Sequence, residues 1–130
     1  MQFKFFSLAI VCAVALAEPA WAHHSHNAYE VTEWTNMEGT VTEIHLIVPH
    51  SWVYIEVQDD PGETTTWALE AAGPDRMIQN GAKREDVQVG DRIKVRCHLL
   101  RDGSNGCLLG FVTPDHGDPE RGHGVEILWD

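Results

Sequence analysis

The chain has 130 residues, room for one domain, with 20 acidic residues against 9 lysines and arginines and a formal net charge of −11. Such a field repels nucleic acid and anionic membrane surfaces and favours cations, so a nucleic-acid partner is excluded. The sequence holds no phosphate loop, nucleophile motif or dinucleotide fingerprint.

Met1–Lys4 supplies one early positive charge, and the apolar run FFSLAIVCAVALA from Phe5 to Ala17 is too short to span a bilayer comfortably. Glu18 and Pro19 break it, and Ala20-Trp21-Ala22 fits the small-x-small rule for signal peptidase. Residues 1–22 therefore read as a secretory signal. A rival cut after Ala17 would leave Glu18 first, and an uncut anchor is the bland alternative. The later site is favoured because Pro19 then lies in the region ahead of the cut. Cys12 lacks the small preceding residue that a lipoprotein signal requires. Cutting after Ala22 removes one lysine and one glutamate, so the mature 108 residues keep the same net charge. No second apolar segment approaches spanning length. The expectation is a soluble protein exported to a bacterial periplasm, with no membrane contact once the signal is gone.

Residues 23–38 are polar and histidine-rich, without periodicity, and read as an extended arm. Residues 39–115 have a β texture: strands over Thr40–Val48, Ser51–Gln58 and Thr64–Ala71, broken at Pro49-His50 and at the strong turn Asp59-Asp60-Pro61-Gly62-Glu63. A short helix is expected over Asp75–Asn80, opened by Gly73-Pro74 and ended by Gly81. Two more strands follow around a turn at Asp102–Gly106. Residues 116–130 form a tail rich in Gly, His and acid, expected to be mobile to Gly124, with Val125–Trp129 apolar enough to dock. The order is that of an all-β, five-stranded antiparallel OB-like barrel with one short helix between strands three and four. A small β-sandwich is the alternative.

Alternation assigns faces. Val53, Ile55 and Val57 point to the core, and His50, Trp52, Tyr54 and Glu56 point away. Folding about Pro61-Gly62 sets Trp52 opposite Glu70 and Tyr54 opposite Ala68. Folding about Pro49 sets His45 near Tyr54 and leaves Ile44, Leu46 and Val48 facing the core. The outer face thus gathers His45, His50, Trp52, Tyr54 and Glu70 as candidate ligand-face residues, with Trp67 joining them if the register differs. The arm is the natural cover for that face. In the last hairpin, setting Cys97 across from Cys107 also sets Val95 against Leu109 and Ile93 against Phe111, so a Cys97–Cys107 disulfide is expected in an oxidising compartment. Lacking C-x-x-C spacing, its role is to stabilise. Two reduced, packed cysteines are the alternative.

The histidines carry the chemistry. Eight occur in the chain, three of them in His23-His24-Ser25-His26. Cleavage after Ala22 frees an α-amine on His23, which with its own Nδ1 can close a six-membered chelate. Both groups shed protons cheaply near neutral pH. A barrel imidazole, His50, would complete a planar three-nitrogen site, which suits Cu(II). This arrangement resembles the histidine brace of secreted copper carriers and copper monooxygenases. Alternatively His24, second in the mature chain, chelates through amine, amide and imidazole, with His26 as a fourth ligand. A chance cluster of inert leader histidines is the bland reading. His98, alternating outward with Arg92, Lys94 and Arg96, is expected on a solvated face. His116 and His123 read as tail residues that could hold a second metal weakly with Asp115 and Asp118.

The stretches HHS, GTVTEIHLIVPHSWVYIEV, TTWALEAAGPDRMIQNG, VGDRIKV and RDGSNGCLLGFVTPD together resemble a family of small exported bacterial proteins classed as a domain of unknown function. Its pattern is a mature His-His-Ser start, Gly-Thr-Val, Asn-Pro-His-x-Trp, a Trp-x-x-Glu strand, a Gly-x-Pro helix start, a Gly-Asp strand and a Lys-Asp-Gly-Ser turn. The resemblance spans roughly His23 to Asp115 and implies an OB-like barrel without an assigned activity. It maps onto His23, His24 and Ser25, onto Pro49, His50 and Trp52, and onto Trp67 and Glu70. Val48 departs from the family's Asn and Arg101 from its Lys, while His26 and the two cysteines are particular to this chain.

Three functions compete. The first is a periplasmic copper carrier or buffer using His23, His24, His26 and His50. The second is a non-catalytic binding module whose aromatic outer face takes a small ligand or partner protein. The third is a copper-dependent oxidative enzyme, with His50 oriented by Glu70 as a general base.

Overall fold

In the computed structural model, which describes residues 26–130, the Val-, Ile- and Thr-rich runs form six strands and one short helix. They are β1 (Thr35–His45), β2 (His50–Asp60), β3 (Glu63–Ala72), α1 (Pro74–Gln79), β4 (Arg92–Leu99), β5 (Gly106–Pro114) and β6 (Ile127–Leu128). The sheet order is β3-β2-β1-β4-β5-β6, and an added β3–β5 pairing closes the first five strands into a barrel with β6 outside. This is the expected all-β barrel with one helix between its third and fourth strands. One pairing differs from the expected antiparallel set: β3 and β5 run parallel. An odd number of strands cannot alternate direction all the way round a closed barrel, so one parallel neighbour is unavoidable.

The β2–β3 hairpin turns at Pro61-Gly62, where Gly62 adopts a positive φ of 95° that glycine tolerates without cost. Its register sets Trp52 opposite Glu70 and Tyr54 opposite Ala68, as the sequence predicts. The β1–β2 hairpin is offset from expectation. His45 pairs with Trp52 and Glu43 with Tyr54, and an irregularity falls between Val41 and Glu43. A shift of two residues preserves the face, so His45 stays beside Tyr54, their rings 6.2 Å apart. Val48 is a correction: strand pairing ends at His45, and Val48 is 74% exposed rather than turned inward.

Inside the barrel lie Val53, Ile55, Leu69, Ile93, Val95 and Leu109, all buried. Cys97 and Cys107 form the expected disulfide, with Cα atoms 5.7 Å apart. The register around it is not the expected one. Cys97 sits opposite Leu109 and Leu99 opposite Cys107, while Val95 meets Val112 and Ile93 meets Pro114. Next to the turn the offset is two residues, which keeps the faces; a bulge then adds one more, since Arg96 pairs with Phe111 and Cys97 with Leu109, leaving Gly110 as the extra residue. The bulge flips the alternation, so Val112 turns inward and Phe111 outward under the Arg96 guanidinium. Glycine is required there, because a Cβ at position 110 would lie 2.5 Å from the Trp34 ring.

The tail is anchored, against the expectation of mobility. Arg121 pairs with Asp91 and donates to the Glu85 carbonyl, and His116 Nε2 donates to the Asp86 carbonyl at 2.9 Å. Trp129 then plugs the core at 2% exposure. Backbone bonds from Trp129 N to Gly110 O and from Ala72 N to Trp129 O fix it. Composition alone hid these carbonyl partners.

Candidate functional site

The arm docks before β1 begins. His26–Ala28 makes a single 3₁₀ turn, Tyr29 bridges to Leu100, and Glu30 N donates to Leu99 O at 2.8 Å. Arg101 closes over it, its backbone N–H on Ala28 O and its Nε on Tyr29 O, both at 2.9 Å. This buries the Tyr29 side chain and aims its hydroxyl at Glu70 Oε2, 2.6 Å away.

Glu70 is 6% exposed and lies on the firmest part of the barrel, paired with Trp52 of β2 on one side and Leu108 of β5 on the other. A buried carboxylate is costly unless hydrogen-bonded. Oε2 accepts from Tyr29, and Oε1 lies 2.5 Å from His50 Nδ1. A carboxylate only accepts, so Nδ1 carries the proton, and in the neutral ring Nε2 is then the lone-pair nitrogen. Burial, followed by the hydrogen bond and negative charge of Glu70, pushes the Tyr29 hydroxyl well above its usual pKa, so it remains a donor across the physiological range.

His50 opens β2 directly after the cis Val48–Pro49 bond. The preceding turn is held from below: Gly73 comes so close that a Cβ there would sit 2.8 Å from the Pro49 carbonyl oxygen. Between this turn, the start of α1 and β6 lies a cleft of about 420 Å³, lined by His26, His50, Glu70, Arg76 and Asp130 among others.

The predicted residues divide. His26, His50 and Glu70 share the cleft, whereas His23 and His24 lie outside the described residues. Trp52 and Tyr54 are half-buried on the outer face beside Glu70 and Ala68. His45 is on that same face, its ring edge-on to Tyr54, away from the cleft and bonded to Glu43 at 2.5 Å. Trp67 packs against the core, its buried Nε1 without a partner among the described residues, so it does not join the outer face. His98 is a correction: it is 9% exposed, bonded through Nδ1 to Glu33 O and covered by the Trp34 ring at 3.9 Å. The arm crosses it, which strand alternation could not reveal. His116 uses both nitrogens, accepting from Asp118 N at Nδ1 and donating from Nε2 to Asp86 O, which leaves no lone pair for a metal. Tyr29 is the residue that sequence reasoning missed. Its signal was an aromatic, one of two with Trp34, in an otherwise polar arm.

Among the described residues, no three of His, Cys, Asp and Glu converge closely enough to hold a metal ion. Residues 10–109 match the model of a family of unknown function, DUF6152. The chain belongs to that family. No curated protein and no solved structure matches it. The DUF6152 match takes in the arm, His50, Glu70 and the disulfide, while the last residues of β5 and the whole of β6 lie beyond it.

Proposed function

We propose that this protein is exported to the periplasm and binds copper there as a carrier or buffer, through the amine and imidazole of a mature N-terminal His23 together with His50. The observation that carries the reading is the Glu70–His50 contact at the cleft. A metal-binding histidine commonly donates its second ring N–H to a carboxylate, which fixes its tautomer and orients it, and His50 has that arrangement with Nε2 remaining. The described donors do not suffice by themselves, so the missing nitrogens come from residues before His26. His26 lines the same cleft, and the three residues back to His23 span at most about 11 Å, enough to bring the terminal amine there. His24 with His26 gives the competing amide-chelate mode. The formal charge of −11 favours cation capture.

The test is export of the native precursor, intact-mass determination of the first mature residue, and calorimetric titration with Cu(II). Sub-micromolar binding that weakens in His23→Ala and His50→Ala is expected. Micromolar or weaker binding, indifferent to His23→Ala, His24→Ala and His50→Ala, rejects the reading.

A second reading rests on the outer face, where half-buried Trp52 and Tyr54 and the His45 ring, edge-on to Tyr54, form an aromatic strip suited to a small ligand or partner protein. Ligand affinity unaltered by metal removal would favour it.

A further inference from the structure

Opposite charges stand in the His50 cleft without neutralising each other. Elsewhere on the described surface, Arg92, Lys94, Arg96, Arg101 and Arg121 each lie within 4.0 Å of a carboxylate. Among the described residues Arg76 has no such partner and Asp130 has no cation that close, yet both line the cleft. Asn80, four residues after Arg76 and on the same face of α1, donates from Nδ2 to Asp130 O at 2.7 Å. The tail therefore holds Asp130 on the side of the helix that carries Arg76.

His50 adds a third polar group. Its Nδ1 proton is held by Glu70, and in the neutral ring Nε2 is an acceptor with no partner among the described residues. Glu70 is 6% exposed and has both oxygens occupied, by His50 and Tyr29, so it orients the ring and does not itself take a ligand. Leu108 and Leu128 supply apolar wall between these groups.

We infer that the cleft is a binding site for a free amino acid with an aliphatic side chain. Its carboxylate meets the planar fork of Arg76, its ammonium donates to His50 Nε2 and faces Asp130, and its side chain lies on Leu108 and Leu128. Charge selects this class. A simple carboxylate is repelled by a molecule of net charge −11, and a simple amine meets Arg76. A zwitterion carries no net charge and matches both ends. A cleft of about 420 Å³ with a few polar groups over apolar wall has the size and make-up of a small-molecule pocket. The inference goes beyond the copper reading and does not rest on it, since it uses described residues alone and no metal.

The test is a titration of the full protein, kept metal-free with a chelator, with L-leucine as the probe, read by calorimetry and by the His50 ring resonances. A dissociation constant of about 1 mM or below is expected, with shifts at His50 and Arg76. Arg76→Gln should weaken binding about 10–100-fold, the range for losing a hydrogen bond to a charged group. Lys83→Gln removes another cation without a carboxylate partner, one that lines a different cleft, and should leave the affinity unchanged. Isocaproate and isoamylamine, each lacking one charged end of leucine, should bind at least about 10-fold more weakly than leucine. The inference is overturned by absence of saturable leucine binding, by parent affinity in Arg76→Gln, by an equal loss in Lys83→Gln, or by either analogue binding as well as leucine. None of these results bears on the copper reading, which the metal titration decides.

Discussion

The Tyr29 hydroxyl and Glu70 Oε2 lie 2.6 Å apart across 41 positions of sequence, and this bond fastens an irregular arm to the centre of the barrel wall. Hydrogen bonds to charged groups contribute about 1.5–3 kcal/mol, and here the acceptor is buried. Tyr29→Phe should therefore lower unfolding free energy by about 2 kcal/mol, read as a lower urea midpoint at unchanged slope. An unaltered midpoint would mean the arm contributes nothing to the fold.

The same bond sets a pH dependence at the alkaline end. Burial and Glu70 raise the Tyr29 pKa in the folded protein above its unfolded value of about 10. The folded state thus holds that proton more tightly, and its contribution is complete below pH about 10 and is lost as pH rises above it. The stability difference between the parent and Tyr29→Phe should narrow progressively above pH about 10. A difference constant to pH 11.5 contradicts this.

How much of this was legible in the sequence follows from where alternation survives. The β2–β3 register could be read because Pro61-Gly62 fixes a tight turn and every residue from Glu56 back to His50 then pairs without a break. In β5 the alternation fails at the Gly110 bulge, where the Trp34 ring lies against the backbone, a contact between segments far apart in the chain. His98 and Glu70 were misjudged or incompletely judged for a related reason. Strand patterns tell which face a side chain takes, but the arm that buries both has no pattern of its own. His50 and Glu70 could be brought together from register alone, whereas Tyr29 could not.

Trp129 carries the tail. It is buried in the same core as Leu69, Val112 and Ile55 although it is the next-to-last residue. Replacing a buried Trp by Ala costs about 3–5 kcal/mol. Trp129→Ala should lose that much by urea denaturation, and amide exchange should quicken at Ala72, whose N–H bonds to Trp129 O. A near-neutral effect would show that contacts other than the Trp129 side chain hold the tail.

The disulfide closes a short loop, Cys97 and Cys107 being 10 positions apart. Constraining the unfolded chain over such a loop stabilises by about 2–3 kcal/mol. Both cysteines have no exposed surface, so a thiol reductant must await an opening of the barrel. Reduction of the native protein should be slow and should accelerate sharply in urea below the unfolding midpoint. The double variant Cys97→Ala, Cys107→Ala should unfold about 2–3 kcal/mol earlier. Rapid reduction without denaturant would show the bond is reachable in the folded state.

Gly73 offers the most local test of how the cleft is built. Its φ of −62° and ψ of 158° suit any L-residue, so an alanine there meets no conformational penalty. The penalty is steric, because the added Cβ would stand 2.8 Å from Pro49 O, a backbone atom that cannot rotate away. Either the start of α1 or the Pro49–His50 turn must move. Overpacking of this kind costs about 1–3 kcal/mol. Pro49 precedes His50 directly, so movement of the turn also pulls Nδ1 from Glu70, while Tyr29 on the far oxygen stays seated. Gly73→Ala should therefore lower the urea midpoint and shift the His50 ring resonances, with the Tyr29 ring resonances left near their parent positions. A variant whose His50 signals do not move would show that the turn is held by other contacts, with Gly73 only passing beside it.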